Sequence, residues 1–297
     1  MSTEPLIDRL LLEKLERLTL HWQRSFPGLI GGHNTSRFAG AGLEFLDHRN
    51  FHVGDDLRAV NWRAFMRLEK LFLKMFQVEP RVPVRLMVDI SQSMTTGESN
   101  TSKFLFARRL AAAMCYVGLV KLDTITLQPF SNRLHDSFIC GGGRHRFMPA
   151  GDFLNALQPA EGPSDFLACS KAFIGKYVQR GLLIVISDFL DDQDCLKPLQ
   201  YLADYGHELL LIQTYAPEDR VPPWKGELDL EDAETGKHLE ISFDDNALKQ
   251  YTAAFDEHTE AIKRLALRNT GRFSGLSTRI SVEEAIFGPL AATQGIA

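Results

Sequence analysis

"VRLMVDISQSM", residues 84–94, joins a predominantly apolar run to a polar loop. Asp89 closes the run, and Ser91 and Ser93 follow it at alternate positions. A short run of this kind suits a strand covered on both faces, as in a parallel sheet flanked by helices. Ligands of such sheets bind beyond the carboxyl ends of the strands. A carboxylate placed there is therefore a candidate site residue.

Downstream, strand and helix patterns alternate. "SKFLFARRLAAAMCYVGLVKL" reads as a long helix, "TITLQPF" and "RLHDSFI" as strands, and "GDFLNALQ" and "SDFLACSKAFIGKYV" as helices. "GLLIVISDF" is a second buried strand, "QDCLKPLQYLADYG" a helix and "HELLLIQTY" a further strand. This alternation predicts an α/β fold with a doubly wound, mostly parallel sheet. "GELDLEDAETGKHLEISF" interrupts it with a β-hairpin pattern around Glu234-Thr235-Gly236. A long amphipathic helix from Asp244 or Asp245 to just before Gly271, a strand "RFSGLST" and a helix "SVEEAIFGPL" complete the chain.

Upstream, "PLIDRLLLEKLERLTL" (5–20) repeats apolar residues at helical spacing. A Gly-rich polar stretch, "PGLIGGHNTSRFAGAG", reads as a loop. Lys70 to Val78 reads as a strand, with helix an alternative over Arg67 to Lys74. Pro80 and Pro83 mark a boundary. Residues 1–80 are expected to form a small α+β extension, and residues 81–297 the main domain.

Composition narrows the function. The 297 residues are 44% hydrophobic and 24% charged, the balance of an ordinary globular chain. A net charge of −5 argues against a general nucleic-acid binder. The four cysteines form no CxxC pair, which argues against a zinc ribbon. No signal peptide and no membrane span is expected, which points to a cytoplasmic protein with reduced thiols.

Asp188 ends "GLLIVISD" as Asp89 ends "VRLMVD". If the two strands are neighbours, both carboxylates reach one rim, and an extended chain beyond Asp89 turns Ser91 and Ser93 the same way. Two carboxylates and two hydroxyls suit a hard divalent cation such as Mg2+, Mn2+ or Ca2+. The plainer reading is that Asp89 and Asp188 cap the helices that follow.

"DISQSM" resembles the DxSxS motif of von Willebrand factor A domains, which form a metal-ion-dependent adhesion site. The resemblance implies a third hydroxyl from a later loop, where Ser164 of "GPSDFLACSKAF" stands in the place of a threonine, with Asp165 beside it. It also implies a second aspartate, matched by Asp188. Upstream, Ser36, Gly40, Gly42, Glu44, Phe45, Arg49, Gly54, Asp55, Asp56, Arg58 and Trp62 resemble the N-terminal signature of the bacterial domain-of-unknown-function 58 family. Phe51 and Asn61 depart from it, standing where tyrosine and aspartate are usual. That likeness implies partnership with a MoxR-type AAA+ ATPase or its client, in protein maturation or metal-centre assembly.

The expected metal ligands are thus Asp89, Ser91, Ser93, Ser164 and Asp188, in a non-catalytic, chaperone-like protein-binding module. The alternative is a magnesium-dependent α/β phosphohydrolase. Against it, a phospho-aspartate enzyme needs a general acid two residues past its nucleophile, and Ser91 holds that position. No GxSxG elbow is present. The charged cluster Glu44, Asp47, Arg49, Asp55, Asp56 and Arg58 reads as an ion-pair network, or else a docking surface. "GGGRHR" (141–146) reads as a turn or mobile loop, because it lacks the GK[ST] of a P-loop and does not open a helix directly. His48 and His52 have metal-ligand spacing only on a helix.

Overall fold

Val84–Asp89 is a strand in which all six residues are buried. The computed structural model describes all residues except 1–4, 22–43, 53–56, 58–59, 78–81, 97–101, 122, 163, 192–193, 232–235, 237 and 297. In chain order the elements begin with α1 (Arg9–Leu15), β1 (Glu44–Asn50), α2 (Trp62–Leu68), β2 (Phe72–Gln77), β3 (Val84–Asp89) and α3 (Lys103–Val120). Next are β4 (Thr124–Phe130), β5 (Phe138–Gly141), α4 (Phe147–Ala156), α5 (Phe166–Lys176), β6 (Leu182–Ser187) and α6 (Leu196–Tyr205). The rest are β7 (Glu208–Tyr215), α7 (Pro217–Arg220), β8 (Gly226–Glu231), β9 (His238–Phe243), α8 (Asp245–Arg268), β10 (Arg272–Ser277) and α9 (Val282–Ala285).

Six strands form one sheet in the order β10-β7-β6-β3-β4-β5. All neighbours are parallel except the edge strand β5, which runs antiparallel to β4. This is the doubly wound, mostly parallel sheet expected from the strand-helix alternation. Successive strand residues feed opposite cores, as a pleat requires. Leu182, Ile184 and Ile186 pack with Leu110 and Met114 of α3 and with Leu154 of α4, whereas Leu183 and Val185 pack with Phe173 of α5, Leu199 of α6 and Ile262 of α8. Arg85 is, with Asp89, one of two charged residues within β3: it is buried, with its guanidinium 4.9 Å from the Tyr177 ring centre.

The chain divides into two compact units, one of Met1–Arg24 with Pro83–Ala297 and the other of Ser25–Val82. The expected division was a single boundary at residue 80. Helix α1 belongs to the main unit because its apolar face is used there: Leu11 and Leu15 join the core cluster that contains Leu110 and Met114. Leu20 also forms a bridge with Ile296. The helix is shorter than the 5–20 pattern, starting after Asp8, whose carboxylate accepts from Leu11 N at 2.7 Å. Asp8→Ala is expected to lower the stability of the main unit by about 1 kcal/mol, the usual value of such a cap. Global denaturant unfolding measures it. An unchanged midpoint would mean that α1 frays independently of the core.

In the second unit β1 and β2 pair antiparallel, and β1 was not anticipated. Asn61 caps α2 by accepting from Ala64 N at 3.3 Å, and Glu69 ends it in the left-handed region at φ 55°. His48 therefore lies on a strand, not on a helix shared with His52. Its Nε2 is 2.7 Å from Asn61 Nδ2, and His52 Nδ1 is 2.9 Å from Arg49 Nη1. The Gly-rich loop 27–42 and Asp55, Asp56 and Arg58 lie outside the described residues.

Gly141 ends β5 and a single 3-10 turn, Arg144–Arg146, follows, so "GGGRHR" is a turn as read. The hairpin is present as β8 paired with β9. Among the described residues no helix is long and apolar enough to cross a membrane.

Candidate metal centre

Strands β3 and β6 are parallel neighbours, with Val88 opposite Ile186. Their apolar runs end level, so Asp89 and Asp188 emerge at the same rim, both buried. Asp89 Oδ1 accepts from Ser91 N at 2.9 Å, and its Oδ2 accepts from Ser187 Oγ at 2.5 Å. Ser187 Oγ accepts in turn from Phe189 N at 2.9 Å. Asp188 Oδ1 accepts from Leu190 N at 3.1 Å. Both aspartates therefore close short local turns, and neither caps a following α-helix. Phe189 stands in the left-handed region at φ 55°, an arrangement that costs about 1–3 kcal/mol and holds the backbone turned directly after Asp188.

The serines reach the rim by a different route from the one expected. Ser91 is extended, but Gln92–Thr95 is a 3-10 turn, so strand-like alternation stops before Ser93. The turn still brings the hydroxyls together: Ser91 Oγ and Ser93 Oγ are 3.0 Å apart. Ser164 is half-buried in the loop leading to α5. That loop is tied to the same rim, with Ala160 N donating to Ile90 O at 2.7 Å and Asp165 N to Ser131 O at 3.3 Å. Asp165 is the N-cap of α5, its Oδ1 accepting from Ala168 N at 2.8 Å. That engagement makes it a poor substitute for Ser164.

Sequence reading missed Lys103. This residue opens α3 directly after its N-cap Ser102, and its side chain is only 2% exposed. Its Nζ donates to Asp188 Oδ2 at 2.7 Å and lies 3.1 Å from Asp219 Oδ2. Burial pulls its pKa down, but Asp188 and Asp219 more than offset this, so the net shift is upward and the ammonium is held charged. One signal was available: a cation in the first turn opposes the helix dipole and calls for a nearby carboxylate.

Lys103 thus pairs with two of the three buried or half-buried carboxylates, Asp188 and Asp219, and not with Asp89. The shortfall appears at Asp89, whose pKa is pushed up to about 7, first by burial and then by the charge of Asp188, against the hydrogen bonds from Ser187 and Ser91. Among the described residues no three His, Cys, Asp or Glu side chains stand close enough to hold a metal ion by themselves. The donor set on offer is therefore carboxylate, hydroxyl and water. This all-oxygen chemistry fits a hard divalent cation, and the charge balance leaves room for one. The buried thiols Cys169 and Cys195 are each pushed up to about 12, chiefly by burial, so neither is an activated nucleophile.

The family described as "Protein of unknown function DUF58" matches residues 47–261. This chain belongs to the DUF58 family. An uncharacterized protein of Mycobacterium bovis is 26% identical to this DUF58 chain over 269 residues, covering 86% of it and 81% of the relative. An uncharacterized protein of Mycobacterium tuberculosis matches to the same extent. Among solved structures, the conserved hypothetical protein BatB from Bacteroides thetaiotaomicron has a TM-score of 0.44 at 18% identity, over 72% of this DUF58 chain and 98% of BatB. The SpRpn10 VWA domain has a TM-score of 0.39 at 8% identity, over 69% and 93%.

Proposed function

We propose that this DUF58 protein is a non-catalytic interaction module whose rim holds a hard divalent cation among Asp89, Ser91, Ser93, Ser164 and Asp188. A bound cation would supply positive charge and an open coordination position for a Glu or Asp of a partner. The family resemblance makes a MoxR-type AAA+ ATPase or its client the partner to test first. The observation that carries the reading is Asp89, a buried carboxylate beside a second one, with the Lys103 ammonium engaged by Asp188 and Asp219. Asp89 and Asp188 contribute charge, and Ser91 and Ser93 neutral oxygens. Lys103 fixes Asp188 in place.

Thermal and denaturant unfolding, with magnesium and with chelator, tests the cation. Magnesium at ~100 times its dissociation constant is expected to stabilise wild type by about 3 kcal/mol. Asp89→Ala should abolish that gain while leaving the metal-free fold intact. Identical unfolding of wild type in both buffers ends this reading. Affinity for a MoxR-type ATPase, measured for wild type and Asp89→Ala in both buffers, tests the partner, and four equal values would place its docking elsewhere. Magnesium-dependent hydrolysis of a generic phosphate ester that Asp89→Ala removes would instead establish the phosphohydrolase alternative.

A further inference from the structure

Beside the rim lies a groove of about 990 Å³, mostly apolar and formed within the main unit. One wall is a single face of the β8–β9 hairpin: Leu228 sits opposite Ile241, and Leu230 and Phe243 lie two residues further along their strands. The other wall is α7 with Pro222, Pro223 and Trp224, and Tyr251 of α8 also lines it. Trp224 is 52% exposed, Tyr251 40% and Leu230 37%. Large apolar side chains left this open, and gathered on one concave surface, mark an interaction site. Their exposure favours side chains borne on another protein's surface over an enclosed small molecule, which a pocket would bury almost completely.

The groove is pre-formed. Tyr251 OH donates to Asp219 O at 2.7 Å, and Arg220 holds Asp256 through two bonds of 2.8 and 2.9 Å, so α7 is pinned to α8. Lys225 pairs with Asp245 at 2.6 Å and ties the start of the hairpin to the same helix. A wall already ordered loses little entropy when it is occupied.

The groove and the rim share residues. Thr96, on the groove wall, donates through Oγ1 to Ser93 O at 2.9 Å. Asp219, also on the wall, is the second carboxylate of Lys103. Asp219 is therefore already engaged, and two charged side chains remain on the wall. Arg279 is exposed, and its guanidinium has no ion pair among the described residues, so it calls for a carboxylate. Glu218, also exposed, disfavours a run of acids.

We propose that this groove docks a segment of a partner protein carrying one acidic residue next to large apolar side chains. The apolar side chains fill the space between Leu230 and Trp224, and the acid is drawn toward Arg279 and the rim. The acid's approach to the rim rests on the cation reading above, whereas the apolar contact does not.

The test is selection from a random peptide display library on the immobilised full chain, in magnesium and in chelator. The baits are wild type, Leu230→Glu, Trp224→Ala, Arg279→Ala and Asp89→Ala, each checked for unchanged melting and for mass by light scattering. Wild type should enrich peptides with a single acid beside aromatic or long aliphatic residues. Leu230→Glu and Trp224→Ala should each weaken the selected peptides tenfold or more, and Arg279→Ala should erase the preference for the acid. If Asp89→Ala and chelator leave binding unchanged while Leu230→Glu abolishes it, the groove stands and the cation takes no part in docking. If Asp89→Ala abolishes binding and both groove variants retain it, the groove proposal is overturned and the cation reading stands. No enrichment on wild type also overturns it, as does a wild-type dimer that Leu230→Glu dissolves, since the occupant would then be a second copy.

Discussion

In metal-free buffer near pH 8, Asp89→Asn is expected to stabilise the protein by about 2–4 kcal/mol, and near pH 4 by almost nothing. The folded carboxyl titrates near 7 and its unfolded reference is 3.8, so between these values the folded state binds more protons than the unfolded one. Stability contributed by the protonated group is complete below the lower value and is lost as pH rises through the upper one. A difference of about three pH units corresponds to about 4 kcal/mol at most. Asparagine removes the charge but can still accept from Ser91 N, and Ser187 Oγ has a second lone pair for an amide donor. Denaturant unfolding of both proteins across this range, in chelator, gives the difference directly. Parallel stability profiles would show that Asp89 is not the strained carboxylate described here. Magnesium should close the gap by raising wild type alone.

Lys103→Met is expected to act in the opposite direction, with a loss of about 3–5 kcal/mol near neutral pH. Methionine replaces most of the apolar stem but leaves Asp188 buried beside Asp89 with no ammonium. Breaking a buried pair by removing one partner typically has an effect of this size, because the remaining charge is uncompensated. Adding Asp188→Asn to Lys103→Met should recover much of the loss. Magnesium should also stabilise Lys103→Met more than wild type, since a divalent cation can take over part of the vacated role. A loss below about 1 kcal/mol would mean that the lysine contributes only packing.

These two substitutions differ in how far sequence alone leads to them. Asp89 was legible because local rules suffice: a short apolar run ending in a carboxylate predicts a buried strand with its acid at the rim. The same rule found Asp188, and the alternation of strands with helices predicted the parallel sheet. Periodicity depends on neighbours a few positions apart, so sequence carries it directly. Which strands become neighbours is not local. The order β10-β7-β6-β3-β4-β5 sets Asp89 beside Asp188, and the chain alone left that pairing conditional. Lys103 reaches Asp188 across 85 positions, and Leu15 enters a core built almost wholly from residues after Pro83. Such contacts form when the whole sheet closes and its apolar faces must be covered, and the cation in helix α3 then lies where the carboxylates end. Ser93 is the intermediate case. Its proximity to Ser91 was read correctly, but from an extended chain, whereas a 3-10 turn makes the contact. Met94, within that turn, is fully buried in the core shared with α3. Sequence determined which residues stand at the strand ends, and tertiary structure decided which charges meet there, because burial makes every unpaired charge at that rim costly.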